Sequence, residues 1–178
     1  MPHDTRFGFP CMKHYKPGRL LREFELSTLT RAVQLLKELG ISFVVAEYEH
    51  VEKGALFASE AIEMPGEQTI KTLVVQFATN EYFVVLMPGS KTVHFKKLAK
   101  TRGAKKAGMV DPAKAERLTG YPVGGISPFG MKQRLRVMID AGLLSFDKVA
   151  INGGRRGLML VMSPADILKV TEAEPIEL

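Results

Sequence analysis

Lys71 stands in "TIKTLVVQFA", where strand alternation puts it on one face with Leu73 and Val75 while Ile70, Thr72 and Val74 take the other. A lysine that shares a strand face with branched apolar groups is open to desolvation. An ammonium so held can orient a phosphate, a carbonyl or a water, and burial lowers its pKa. The competing reading is a strand-end lysine whose stem packs on the core while its head reaches water.

A second stretch, "TGYPVGGISPFG" at 119–130, packs four glycines and two prolines into twelve positions, among residues of apolar character. Adjacent Gly124 and Gly125 permit close approach of a ligand to backbone. Ile126, Ser127 and the fixed ring of Pro128 then stiffen the segment, so its main-chain N–H and C=O groups can line a cavity without reorganising. Such groups hold a reacting hydroxyl or a developing oxyanion with no catalytic side chain. The alternative is a tight corner between a helix and a strand.

Other motifs fail on spacing. In "MPGSKT" Ser90 precedes Lys91 where a phosphate loop requires glycine, so it is not one. In "GGISPFG" both Pro128 and Phe129 separate Ser127 from the next glycine, so Ser127 is not the serine of a nucleophile elbow. "GGRRG" at 153–157 lacks dinucleotide-binding spacing and reads as a hairpin turn, so no cofactor is expected. His3, His14, His50 and His94 are scattered and Cys11 is the single cysteine, so neither a metal site nor an internal disulfide is expected.

The 25 Lys and Arg against 19 Asp and Glu give a net charge of +6, which favours a polyanionic partner. Within residues 91–106, Lys91, Lys96, Lys97, Lys100, Arg102, Lys105 and Lys106 gather with no acid among them. That clustering suits a phosphate-contacting face, and equally a solvated helix surface.

The elements that must position these residues follow from periodicity. At 178 residues one domain is expected. Residues 1–26, with Pro2, Pro10, Pro17 and Gly18, read as a loosely held extension, leaving the domain at 27–178. From a Ser27 cap, Leu29, Ala32, Val33, Leu36 and Leu39 recur at helical spacing up to Gly40. "ISFVVAEYE", the pair "TIKTLVVQFA" and "EYFVVLM", "RLRVMID", "KVAIN" and "LMLVM" read as strands. Helices are expected over "ALFASEAIEM", around Phe95, Leu98 and Ala99, after Asp111-Pro112 and after Ser163-Pro164. The tally of about seven strands and five helices, without regular alternation, predicts a mixed α/β fold: a curled, largely antiparallel, barrel-like sheet with helices outside. No apolar run reaches the roughly 20 residues of a membrane span, so a cytoplasmic protein is expected.

Taken together, "IKTLVV" at 70–75, "KKLAKTRGAKKAGMVDPAKAERLTGYPVGGISPFG" at 96–130 and "INGGRRGLML" at 151–160 resemble the YbaK/prolyl-tRNA synthetase-associated editing domain family. The resemblance runs from about Ser27 to about Thr171. It implies an aminoacyl-tRNA deacylase acting in trans on a mischarged tRNA, most naturally Cys-tRNA(Pro) or another small noncognate aminoacyl-tRNA(Pro), with prolyl-tRNA synthetase as a possible partner. The family's lysine matches Lys71, and its Gly-x-x-x-Pro motif matches Gly124 to Pro128 in "GGISP". The resemblance implies that the lysine positions the acceptor end or the water, that the loop holds the ester, and that Lys91, Lys96, Lys97, Lys100, Lys105 and Lys106 face the tRNA. Two positions depart from the YbaK pattern: Asn152 stands where its members have serine, and Met159 where they have aspartate. Both belong to the implied substrate wall, and a thioether makes that wall neutral and deformable. A non-catalytic tRNA- or synthetase-binding module of the same fold is the alternative.

Overall fold

The computed structural model describes residues 29–49 and 55–178. The 1–26 extension, the Ser27 cap, Cys11, His3, His14 and His50 lie outside the described residues.

Five α-helices, one 3-10 helix (Ala141–Ser145) and eight strands are present among them: α1 Arg31–Glu38, β1 Val44–Glu47, α2 Ala55–Ala61, β2 Ile70–Phe77, β3 Tyr82–Pro88, α3 Phe95–Thr101, β4 Ala107–Met109, α4 Pro112–Thr119, β5 Arg136–Asp140, β6 Val149–Asn152, β7 Leu158–Met162, α5 Pro164–Thr171 and β8 Glu174–Ile176. The helices start where their caps dictate. Asp111 accepts from the Ala113 and Lys114 N–H groups with Pro112 in the first turn, and Gly120 ends α4 at φ 71°. Ser163 caps α5 in the same way. In α1, Thr30 is the cap, and Ala32, Val33 and Leu36 are buried. Leu29 and Leu39, expected on that face, are 52% and 53% exposed. One precedes the cap, and the other is the last residue before Gly40 turns the chain at φ 65°.

The strands form two sheets, β1-β7-β6 and β4-β2-β3-β5-β8, and no closed barrel is present among the described residues. Most pairs are antiparallel, whereas β3–β5 and β5–β8 are parallel. A parallel bridge between Thr69 and Ala150 links the sheets. β4 and β8 escape sequence reading because three residues are too few to display alternation.

The parallel β3–β5 pair requires a crossover, and this one carries α3, β4, α4 and the glycine-rich loop. It passes both faces of the five-stranded sheet. α3 buries Leu98 and Ala99 against Val75, Phe77, Phe83, Val85 and Met138 on one face. α4 and the loop bury Ala115, Leu118, Tyr121, Ile126 and Phe129 against Ile70, Val74, Val84 and Leu86 on the other, together with α1 and the three-stranded sheet. At about 25 cal/mol per Å² of apolar area, each of the larger buried side chains among these, such as Leu98, Leu118 and Phe129, adds about 1.5–3 kcal/mol toward holding the crossover in place.

Candidate functional site

Between the two sheets, β2 has an open edge. β4 pairs only with Val75 to Phe77, extended by the Val110 N–H donating to the Val74 carbonyl, while the link to β6 stands at Thr69. Among the described residues no strand covers the edge from Lys71 to Leu73. A cavity of about 350 Å³ occupies that gap. Ile70, Lys71, Thr72 and Val74 of β2, Val110 and Ala115, Gly124 and Ile126 of the loop, and Asn152 and Met159 of the three-stranded sheet all line it. Three stretches far apart in sequence therefore meet at one wall.

Asn152 and Met159 are direct partners across β6–β7. Met159 is buried with Ala58 and Ala150, so its thioether forms a neutral part of the lining. Gly125, Ser127 and Pro128 are buried behind the loop rather than in the lining. The Ser127 hydroxyl accepts from the Phe129 N–H at 3.4 Å, which makes it a brace of the turn.

Lys71 enters from the far side. Leu73 and Val75 pack with α3 whereas Ile70 and Val74 face the cavity core, so alternation sends the Lys71 side chain to the α3 face. There its ammonium donates to the Gly89 carbonyl at 3.4 Å and to the Lys91 carbonyl, at the rim of the gap. Desolvation by burial holds its pKa below the ordinary lysine range. An ammonium has three protons and these carbonyls engage two, which leaves one to aim at a ligand.

Interlocked glycines hold the loop. At Gly125 a Cβ would sit 2.6 Å from the Arg155 carbonyl carbon, so only glycine lets the loop lie on the β6–β7 hairpin backbone. Gly154, at φ 99°, leaves room for the Tyr121 ring, where a Cβ would come within 2.8 Å. The Tyr121 hydroxyl donates to the Phe129 carbonyl at 2.6 Å and closes the loop on itself. The start of α1 ties both pieces together: Arg31 donates to the Gly120 carbonyl at 2.7 Å, and the Thr30 hydroxyl donates to the Gly153 carbonyl. At the hairpin tip the Arg156 Nε donates to the Val123 carbonyl at 2.8 Å, and Arg155 pairs with Glu47. Sequence reading missed these braces because all but the Tyr121–Phe129 bond, which spans eight residues, join segments some 30 to 120 residues apart.

The lysine-rich segment is not at the cavity. Lys96, Lys97 and Lys100 are exposed on α3, across the sheet from it, and Lys105 and Lys106 are exposed beyond that helix. Lys91, grouped with them by sequence, has its ammonium 2.7 Å from the buried Asp140 carboxylate. Among the described residues no three His, Cys, Asp or Glu side chains converge, and no helix is long and apolar enough to cross a membrane.

The family model of the aminoacyl-tRNA editing domain matches residues 51–170. EbsC of Enterococcus faecalis, a proposed Cys-tRNA(Pro)/Cys-tRNA(Cys) deacylase, is 31% identical over 134 residues, 75% of this chain and 74% of its own. The multifunctional Ser/Thr-tRNA deacylase ProXp-y of Escherichia coli is 28% identical over 83% of this chain and 90% of its own. Among solved structures, a proposed trans-editing enzyme for prolyl-tRNA synthetase superposes with a TM-score of 0.75 at 24% identity, over 83% of this chain and 93% of that one. That likeness is one of fold.

Proposed function

The chain belongs to the aminoacyl-tRNA editing domain family, and from that membership we propose that it is a hydrolase of mischarged tRNA. It cleaves the ester between a small noncognate amino acid and the terminal adenosine. Water supplies the oxygen, and the products are the free amino acid and the tRNA with its ribose hydroxyl restored. The observation that carries this reading is the cavity itself, which Gly124, Ile126, Asn152 and Met159 line with the Lys71 ammonium at its rim.

The ester is already activated, so positioning contributes more than a strong nucleophile. Lys71 orients the acceptor end or the attacking water with its remaining proton. Main-chain groups around Gly124 hold the ester and stabilise charge as it develops on the carbonyl oxygen, without reorganisation. The cavity volume and its lining of Ala58, Ile70, Val74, Ile126 and Met159 favour a small side chain. The likenesses to EbsC and ProXp-y, named for cysteine and for serine and threonine, support that size class. We assign tRNA(Pro) as the carrier, prolyl-tRNA synthetase as the enzyme whose errors are cleared, and the cytoplasm as the compartment. Exposed Lys96, Lys97, Lys100, Lys105 and Lys106 contact tRNA phosphates away from the cavity.

The test is deacylation of tRNA(Pro) charged with Cys, Ala, Ser, Thr or Pro by wild type and Lys71→Ala. Selective, lysine-dependent loss of a noncognate ester is expected. No loss of any ester would overturn the hydrolase reading and leave a tRNA-binding module.

A further inference from the structure

Thr72 is the one residue on the open stretch of β2 whose main chain and side chain both concern the cavity. Because the Val74 carbonyl accepts from Val110 and the Gln68 carbonyl from the Ala150 N–H, the even-numbered positions aim their main-chain groups at this edge. The Thr72 N–H and C=O therefore face the gap. Its side chain shares the Ile70 and Val74 face, which is the cavity face. Its Oγ1 is buried and has no hydrogen-bond partner.

A buried hydroxyl with no partner is a net cost to the fold and calls for an explanation. Packing gives none, since a valine has the same shape. The neighbouring polar atoms are those of an unpaired strand edge, whose N–H and C=O are spaced to accept another residue's C=O and N–H. An aminoacyl ester carries that complement, with an α-ammonium donor and an ester carbonyl oxygen acceptor three bonds apart.

The geometry points to Thr72 as the residue on which the aminoacyl group docks, resting on the editing function proposed above. The aminoacyl moiety adds to β2 as a single-residue strand. Its α-ammonium donates to the Thr72 carbonyl, and its ester carbonyl accepts from the Thr72 N–H. The hydroxyl, which a χ1 rotation carries between staggered positions, supplies the third contact. Lys71, the preceding residue, then stands at the rim where the ester oxygen and the ribose emerge.

The experiment compares wild type, Thr72→Val and Thr72→Ser for binding of a non-hydrolysable probe, 3′-deoxy-3′-(alanylamino)adenosine, by calorimetry. Thermal melts and deacylation run alongside. Thr72→Val is expected to bind the probe about tenfold more weakly, which is the loss of one hydrogen bond. Its melting temperature should stay level or rise, because an unsatisfied hydroxyl has been removed, and Thr72→Ser should restore binding. A merely structural role would lower the melting temperature and leave probe affinity alone. Probe affinity within twofold of wild type in Thr72→Val, or no probe binding by wild type, would overturn the docking. Wild type that binds the probe, loses affinity in Thr72→Val and hydrolyses no ester would support the docking and overturn the hydrolase reading.

Discussion

Asp140, buried at the end of β5, holds the Lys91 ammonium at 2.7 Å, and the Lys91 main-chain carbonyl in turn accepts from Lys71. The Asp140 carboxylate also takes the Gly142 N–H at 2.9 Å. One ion pair thus fixes the turn after β3 on which the Lys71 ammonium rests. Lys91→Met leaves the carboxylate buried without its cation. Since the lysine side chain is 44% exposed, the expected loss is about 1–3 kcal/mol, read from urea unfolding. The turnover number should fall with it, because the Lys91 carbonyl loses its fixed position.

Substitutions at two glycines should separate close approach from general packing. Gly125→Ala drives a Cβ into the Arg155 backbone at 2.6 Å, whereas at Gly108 an added Cβ meets nothing within 4 Å. The first should destabilise by about 1–3 kcal/mol and abolish deacylation, while Gly108→Ala should leave both near wild type. Thermal melts and single-turnover rates check the pair.

Lys71 should impose an alkaline limit on activity. Its pKa is lowered by burial, so the ammonium is lost at a pH below that of a free lysine, and the enzymatic rate should fall there once spontaneous ester hydrolysis is subtracted. Lys71→Arg, which stays charged, should lose that limb even if its rate is low. The linkage has the corresponding sign. Through this window the unfolded chain binds the proton more tightly than the folded one, so stability rises with pH. Lys71→Met should therefore be more stable than wild type at neutral pH, by a margin that narrows as pH climbs.

The exposed cations of α3 should act on affinity rather than chemistry. Replacing Lys96, Lys97 and Lys100 together with alanine is expected to weaken tRNA binding. The log–log slope of affinity against salt should flatten by about 0.7–0.9 for each phosphate that is no longer neutralised. The single-turnover rate at saturation should stay unchanged. Lys91→Met should not flatten the slope, because its ammonium is already paired with Asp140.

Lys71, the stiff loop from Gly124 to Pro128 and the hairpin at Gly153–Gly157 were legible in sequence because each is a local signal: a polar residue in an apolar strand, and glycines beside proline. The caps at Asp111 and Ser163 were legible for the same reason. What was not legible depends on topology. Nothing local distinguishes the face of the sheet on which α3 settles, so the sequence leaves open where its lysines stand relative to the site, and β2 proves to lie between them and the cavity. The open edge at Thr72 is likewise invisible until β4 is seen to stop at Val75 and β6 to touch only at Thr69. Thr72 itself read as one more β-former.

The open stretch of β2 also bears on self-association. An uncovered strand edge is a template for another chain and a common starting point for aggregation. Here the loop, α4 and the three-stranded sheet stand around it and bound a space of about 350 Å³, which restricts the approach of a second chain. The enclosure that limits what the site admits therefore also keeps its exposed main chain from seeding edge-to-edge assembly.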